Sequence, residues 1–189
     1  KPKGRGISCF LVDADLAGIL ISKAERKMGQ SASSTNEVIF KNCRIPASAL
    51  MGAENQGYKV AVTELTGGRI GIASLALGLG LAAMDYATEY VKDRRQFDQV
   101  ISDFQGIQWM IADVYTELEA AKLLVMQAAY FKEAKLPYAK EASMAKLYAS
   151  EKANVACNTA VQLLGGAGYL VDHPVERYLR DVRITTIYE

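Results

Sequence analysis

An unbroken run of apolar residues at alternating spacings of three and four, Phe104, Ile107, Ile111, Val114, Leu118, Ala121, Val125 and Ala128, leaves this chain little choice of fold. Side chains three and four apart share one face of an α-helix, and no strand keeps such a set on one side. A seam of this length has to be buried against helices that run nearly parallel or antiparallel to it, as in a bundle. Ser102 and Gln105 stand at the capping-box spacing at its start. Pro137 separates the seam from a second helix, about residues 138–164. There Ala142, Ala145, Ala149, Ala153, Ala156 and Ala160 form a small-residue face that permits close approach. A further helix is expected over about residues 57–94. A fourth follows Pro174, which suits a first helical turn, with Asp172 or His173 placed to cap it.

The first 50 residues have a different texture. Residues 7–12 and 19–22 are β-rich runs with a turn marked by Gly18. Residues 38–45 alternate, with Val38 and Phe40 facing one way and Ile39, Cys43 and Ile45 the other, until Pro46 ends the run. Residues 30–36 form a polar Ser/Thr loop. The fold class expected is mainly α: a C-terminal four-helix-type bundle preceded by the end of an antiparallel β domain. The boundary is placed in residues 51–57, giving a β portion over 1–52 and a helical domain over 53–189. The last apolar run, Ile187 and Tyr188, halts on one carboxylate, Glu189, and has the look of a cut rather than a finish.

Composition narrows the function classes. With 189 residues, half of them hydrophobic, the chain suffices for one sizeable core. A formal net charge of +1 leaves no basic excess for phosphates, which argues against a nucleic-acid partner. Three cysteines, Cys9, Cys43 and Cys157, lie far apart without a CxxC, which points to reduced thiols inside a cell. One histidine, His173, and no cysteine pair argue against a metal site. The longest apolar run, residues 70–84, falls short of the roughly 20 residues of a membrane span, so a buried core helix is expected and no membrane span.

Several stretches invite chemical readings. Gln162, Leu163, Leu164, Gly165 and Gly166 read as a helix C-terminus closed by glycines in left-handed conformation. Arg94 and Arg95 read as the basic end of a helix, favoured there by the macrodipole. Gly67 and Gly68, between Thr66 and Arg69, each cost a helix about 1 kcal/mol relative to alanine, which implies that something passes close by. Gly78-Leu79-Gly80-Leu81-Ala82-Ala83 fits G-x-G-x-x-A, but it lies inside a helical run instead of following a strand, so it is not a dinucleotide fingerprint. Its glycines are expected to make close helix contacts. Glu189, taken alone, reads as a surface carboxylate.

Five blocks in order, MGQSASSTNEVIFKNCRIP, GGRIGIA, RRQFDQVISDFQ, QLLGGAGY and IYE, with an Arg180-Asp181 pair before the last, resemble the acyl-CoA dehydrogenase family over essentially the whole chain. The likeness is to its short- and branched-chain members, and it implies the C-terminal portion of an enzyme whose helical domain and part of whose β domain lie N-terminal to it, cut after the catalytic glutamate. The family's reaction is FAD-dependent oxidation of acyl-CoA to 2-enoyl-CoA. The resemblance makes Glu189 the catalytic base that removes the α-proton while a β-hydride passes to the flavin. It also implies that the backbone N–H of Glu189 helps bind the thioester oxygen. A base for a weak carbon acid must sit within hydrogen-bond reach of it, and a dry, apolar pocket favours such a base; Ile184, Ile187 and Tyr188 are the residues expected to supply those surroundings. In some short/branched-chain relatives the base comes from another helix.

For the cofactor, the resemblance implies FAD contacts from Arg94, Arg95, Gln96, Phe97, Phe104 and Gln105, with Arg94 on the diphosphate across a dimer interface. Gln162, Leu163, Leu164, Gly165 and Gly166 would touch the FAD of a neighbouring subunit. Thr66, Gly67, Gly68 and Arg69 would lie along the CoA moiety. Asp98 stands where the family usually has glycine, and the arginine that often follows the glycine of the Ser/Thr loop is absent after Gly29, where Gln30 and Ser31 stand instead. The partners implied are an acyl-CoA substrate, an electron-transferring flavoprotein and further copies of the chain, as a dimer of dimers. The location implied is intracellular: cytoplasmic in a bacterium, the mitochondrial matrix in a eukaryote. Two rivals remain beside a dehydrogenase: an acyl-CoA oxidase on the same scaffold, and a non-catalytic helical interaction domain.

Overall fold

The computed structural model describes residues 6–189, and its chain divides into two compact units, Lys1–Leu65 and Thr66–Glu189. In the first, β1 (Cys9–Phe10) pairs antiparallel with β4 (Leu50–Met51), Cys9 opposite Met51. Between them β2 (Ile19–Ile21) pairs antiparallel with β3 (Val38–Phe40), Ile19 opposite Phe40 and Ile21 opposite Val38. The ladders are shorter than the alternation suggested: β3 stops at Phe40, before the chain reaches Pro46, and Cys43 and Ile45 lie beyond it. β4 carries no alternation signal at all, being two residues long. The first turns of the long helix α1 (Gly57–Asp93) belong to this unit, anchored where the Gly57 N–H donates to the Ile7 carbonyl at 2.8 Å.

The second unit is the helical bundle: the rest of α1, then α2 (Gln105–Glu133), α3 (Ala139–Leu164) and the short α4 (Val175–Val182), with the antiparallel pair β5 (Arg95–Gln96) and β6 (Gln99–Val100) between α1 and α2. The seam read from the sequence is the buried face of α2. Val114, Leu118, Ala121, Val125 and Ala128 are buried, and Ile107 and Ile111 pack half-buried at the same core's edge. The six alanines read as one face of α3, Ala142 to Ala160, are fully buried. With methyl groups facing it, α1 comes close: a Cβ added at Gly80 would lie 3.0 Å from Leu118 Cδ2 and 3.2 Å from Ala153 Cα. The neighbouring Gly78 faces open space, so only one glycine of that pair marks a helix contact. Ala73, Ala76, Ala83, Met84, Ala87 and Val91 complete the α1 side of the core. By length and composition α1 would also suffice to cross a membrane; a core helix of a helical bundle passes the same test, and these six side chains are fully buried in the bundle.

Helix ends depart from the sequence reading in two places. The Ser102/Gln105 capping box does not form. Ile101–Asp103 makes a 3-10 turn, α2 starts at Gln105 behind Phe104 with no side-chain cap, and it is Gln108 Nε2 that reaches back to the Ser102 carbonyl at 2.9 Å. Nor do Asp172 or His173 cap α4: Pro174 is itself the cap position, and no side-chain cap bond is made. His173 is occupied elsewhere, its Nδ1 2.8 Å from the Tyr86 hydroxyl and its ring edge-on to Tyr90. The end of α2 is closed without glycine. Lys135 takes φ +56°, the Lys135 N–H donates to Lys132 O at 3.1 Å and the Leu136 N–H to Phe131 O at 2.9 Å, which is the Schellman pattern, with Pro137 following.

Among the described residues the buried polar side chains are Ser150 and Thr185. Burial pushes the Cys157 thiol up to about 12, so it stays protonated and unreactive at neutral pH. Glu117 on α2 accepts from Tyr148 of α3, and Lys152 Nζ lies 3.0 Å away. The Tyr148 bond, followed by that of Lys152, holds the Glu117 carboxyl below the usual carboxylate range.

Candidate functional site

The exit segment after α4 is placed from its buried side chains outward. Val182 is fully buried, and its carbonyl accepts from Asn154 Nδ2 of α3 at 3.3 Å. Thr185, also fully buried, returns its hydroxyl to the same carbonyl at 2.7 Å. Two anchors on one carbonyl fix the 3-10 turn Arg183–Thr186, and Ile187 and Tyr188 carry the chain on to Glu189.

Glu189 is delivered onto α1 at Gly68. A Cβ built on Gly68 would lie 2.7 Å from Glu189 Oε1 and 2.8 Å from Oε2, closer than real side-chain atoms come. What passes close to this glycine is therefore the chain's own carboxylate. Beside it, Arg69 Nε donates to the Glu189 carbonyl at 3.4 Å, and Arg69 Nη1 donates to Ser143 Oγ of α3 at 3.0 Å. The Gly67 position faces Lys132 Nζ and the Tyr138 hydroxyl, 3.3 and 3.8 Å from where a Cβ would stand. Gly67, Gly68 and Arg69 thus converge with Glu189, Ser143, Lys132 and Tyr138; Thr66 lies one residue before them on α1, half-buried. Sequence reasoning missed the last three. Their signal was weak: Lys132 and Tyr138 bracket the α2–α3 connection, and Ser143 is the polar position beside Ala142 on a face otherwise read for its alanines.

The surroundings expected for the carboxylate are not those observed on this chain. Ile184 and Ile187 are exposed, as is Glu189 itself, and only Tyr188 is partly covered. Burial, then the Glu189 charge, raises the Tyr188 hydroxyl above its ordinary value, so it stays neutral across physiological pH. The apolar residues next to Glu189 in sequence point away because the 3-10 turn directs Thr185, not Ile184, into the core.

A second cluster lies where α1 gives way to α2. The Ile101 N–H donates to Arg94 O at 2.8 Å, closing the β5–β6 hairpin, and Arg95 Nη2 donates to Asp98 O at 2.9 Å. Phe97 and Asp98 at its tip take φ +53° and +64°. Both central residues being left-handed is the requirement of the two-residue mirror-image turn, which glycine meets most cheaply and aspartate tolerates. That is the physical sense of a glycine at position 98, and Asp98 keeps the turn. The hairpin presents Arg94, Arg95, Gln96 and Phe97, all exposed, and sets the Phe97 ring edge-on to Phe104 at 6.2 Å between centroids. Gln105 is exposed at the first turn of α2.

The third cluster is the end of α3. Gly165 takes φ +61° with ψ −135°, and its N–H donates to the Gln162 carbonyl, a positive-φ closure in place of the left-handed helical one expected, whereas Gly166 continues in a 3-10 turn without positive φ. Neither glycine has an atom within 4 Å of where a Cβ would stand, so both offer bare backbone to an approaching group. Gln162 is exposed. Leu163 and Leu164 are buried in the bundle core, which leaves only their backbone for any ligand. The described residues contain no group of histidine, cysteine and carboxylate side chains fit to hold a metal ion.

Comparison with known proteins bears on the family and the fold. The family described as acyl-CoA dehydrogenase, C-terminal domain, matches residues 55–189. The short/branched chain specific acyl-CoA dehydrogenase of Rattus norvegicus mitochondria is 49% identical over 189 residues, covering 100% of this chain and 44% of its own. The structure of butyryl-CoA dehydrogenase from Megasphaera elsdenii superposes with a TM-score of 0.96 at 40% identity, over 99% of this chain and 49% of that one. A chain in a structure described as the electron transferring flavoprotein of Acidaminococcus fermentans superposes with a TM-score of 0.95 at 46% identity, over 97% of this chain and 48% of that one. The chain spans about half the length of the relatives it matches.

Proposed function

The chain belongs to the acyl-CoA dehydrogenase family, and from that premise we propose that it takes part in flavin-dependent α,β-dehydrogenation of short or branched acyl-CoA thioesters to 2-enoyl-CoA, with Glu189 as the base. The observation that carries this reading is the seat of the Glu189 carboxylate against the bare backbone of Gly68. A carbon acid as weak as a thioester α-position reacts only with a base held in register, and positioning accounts for much of the rate. In the reaction the Cα–H bond breaks, its proton goes to a Glu189 oxygen, and its electron pair forms the new double bond as hydride leaves the β-carbon. FAD, when bound, supplies the acceptor of that hydride. The Glu189 N–H is the proposed donor to the thioester oxygen, where negative charge develops.

The exposed groups fit the cofactor. Arg94 suits the diphosphate because a guanidinium donates two parallel bonds to phosphate oxygens. Arg95 and Gln96 flank it, the Phe97–Phe104 pair offers an aromatic edge to the adenine side, and Gln105 and Gln162 are free to hydrogen-bond. Gly165 and Gly166 admit close approach of backbone, as do the main-chain atoms of Leu163 and Leu164. Thr66, Gly67, Gly68 and Arg69 are the proposed CoA-facing stretch. Because Glu189 is exposed on the single chain, its dry environment is assigned to bound substrate, flavin and further copies of the chain in a dimer of dimers. The rat relative's mitochondrial name suits an intracellular protein, and an electron-transferring flavoprotein is the proposed acceptor.

The protein carrying this chain is expected to purify yellow and to bleach when a short straight or branched acyl-CoA is added without oxygen, with kcat/KM ranking the chain lengths. A colourless protein that FAD does not reconstitute would overturn the reading, and peroxide as the stoichiometric product would make it an oxidase. Gly68→Ala tests the seat itself. The added methyl must displace the carboxylate, since it would lie within 3.0 Å of three of its atoms, and kcat is expected to fall about 10-fold or more through lost alignment. Gly67→Ala, whose nearest atom is the far end of the Lys132 side chain, should change kcat far less.

A further inference from the structure

Arg69 has a second bond whose consequence reaches beyond the base. Its guanidinium is a fork: Nε holds the Glu189 carbonyl at 3.4 Å, and Nη1 is held in turn by Ser143 Oγ at 3.0 Å. The serine is itself oriented, because its hydroxyl hydrogen goes to the Ala139 carbonyl at 2.7 Å, one turn back on α3. That leaves an oxygen lone pair of Ser143 facing Arg69, so every donor and acceptor in the line is used consistently. The line runs from the first turn of α3 through α1 to Glu189. Its far end needs holding: Glu189 has φ +65°, a conformation that is unfavourable for a residue with a side chain.

We propose that Ser143 is a positioning residue for the reaction, acting through Arg69 to hold the Glu189 backbone so that its carboxylate stays over Gly68. The proposal rests on the reading of Glu189 as the base. It gives Arg69 a task different from simple contact with CoA. A contact to the CoA moiety acts on substrate binding and appears in KM, whereas a brace on the base acts on the proton-transfer step and appears in kcat. Ser143 separates the two, because its hydroxyl is committed to Arg69 and Ala139. Lysine at position 69 would keep the charge but has one nitrogen, which cannot span Ser143 Oγ and Glu189 O as the fork does.

The test uses the FAD-loaded protein carrying this chain. Ser143→Ala is expected to lower kcat about 5- to 10-fold, the scale of one ordinary hydrogen bond lost, with KM for a short acyl-CoA within about twofold and the flavin spectrum unchanged. Ser143→Thr, which keeps the hydroxyl, should restore kcat. Arg69→Lys should resemble Ser143→Ala, and the double variant should be no slower than Arg69→Lys alone, because both changes break one line. Exchange of the α-hydrogen of a bound, non-oxidisable acyl-CoA analogue, followed by NMR, should slow in parallel, which ties the effect to the base. Ser143→Ala with unchanged kcat, or with its effect confined to KM, overturns the proposal while a slow Glu189→Gln leaves the functional reading standing. A Glu189→Gln variant of normal rate overturns both.

Discussion

Glu189→Gln is expected to slow bleaching by acyl-CoA by about 100- to 10,000-fold while the protein stays yellow, the range a positioned general base contributes. The amide nearly matches the carboxylate in size, so it can occupy the same seat over Gly68, and the Arg69 bond survives because it goes to the main-chain carbonyl. What is lost is an oxygen able to take a proton. The proposed FAD contacts lie at the β5–β6 hairpin, at the start of α2 and at the end of α3, none of which the substitution touches. Stopped-flow absorbance of the flavin reads both outcomes in one trace: the initial spectrum reports cofactor retention and the decay reports proton abstraction. A normal decay would mean that a different side chain takes the proton.

Gly80→Leu is expected to be the most destabilising substitution in the bundle, by about 3 kcal/mol or more, read as a lowered urea midpoint. Already at the first added carbon the site is full, with Leu118 Cδ2 at 3.0 Å and Ala153 Cα and Cβ at 3.2 and 3.3 Å. A leucine places three more carbons where α1, α2 and α3 meet. Backbone atoms of α3 stand in the way, and these do not rotate aside as a side-chain tip would. Gly80→Ala is the informative control: its gain in helix propensity, about 1 kcal/mol, opposes the crowding and leaves a small net change. Gly78→Leu, in open space on the same helix, should leave stability nearly intact, and equal losses at both positions would refute the packing argument.

The helices were legible because their signal is redundant. The seam of α2 repeats the same instruction seven times over from Ile107 to Ala128, and the alanines of α3 repeat theirs six times, so no single exception blurs the pattern. Strand ends and helix caps depend instead on one or two bonds. Ser102 and Gln105 had the right spacing for a box, but a 3-10 turn at Ile101–Asp103 moved the helix start past Ser102. The end of α2 was hidden because Lys135 occupies the left-handed position where glycine would have announced it. The site was legible in its parts more than in its assembly. Gly68 signalled a close approach, but only the fold identifies the group that approaches. Ser143, Lys132 and Tyr138 could not be assigned to it from spacing, since they reach the site from α3, α2 and the connection between them. Ile184 and Ile187 were read as walls because they are apolar and adjacent; the turn around buried Thr185 sends them outward.

The narrow gap between α1 and α3 has a bearing on how this sequence can drift. Gly80, Leu118 and Ala153 fill one shared volume, so enlargement at any of the three has to be matched by shrinkage at another. Among related chains these positions should therefore change together, trading carbon atoms at a nearly constant sum, while Gly78, two residues away on the same helix, drifts alone.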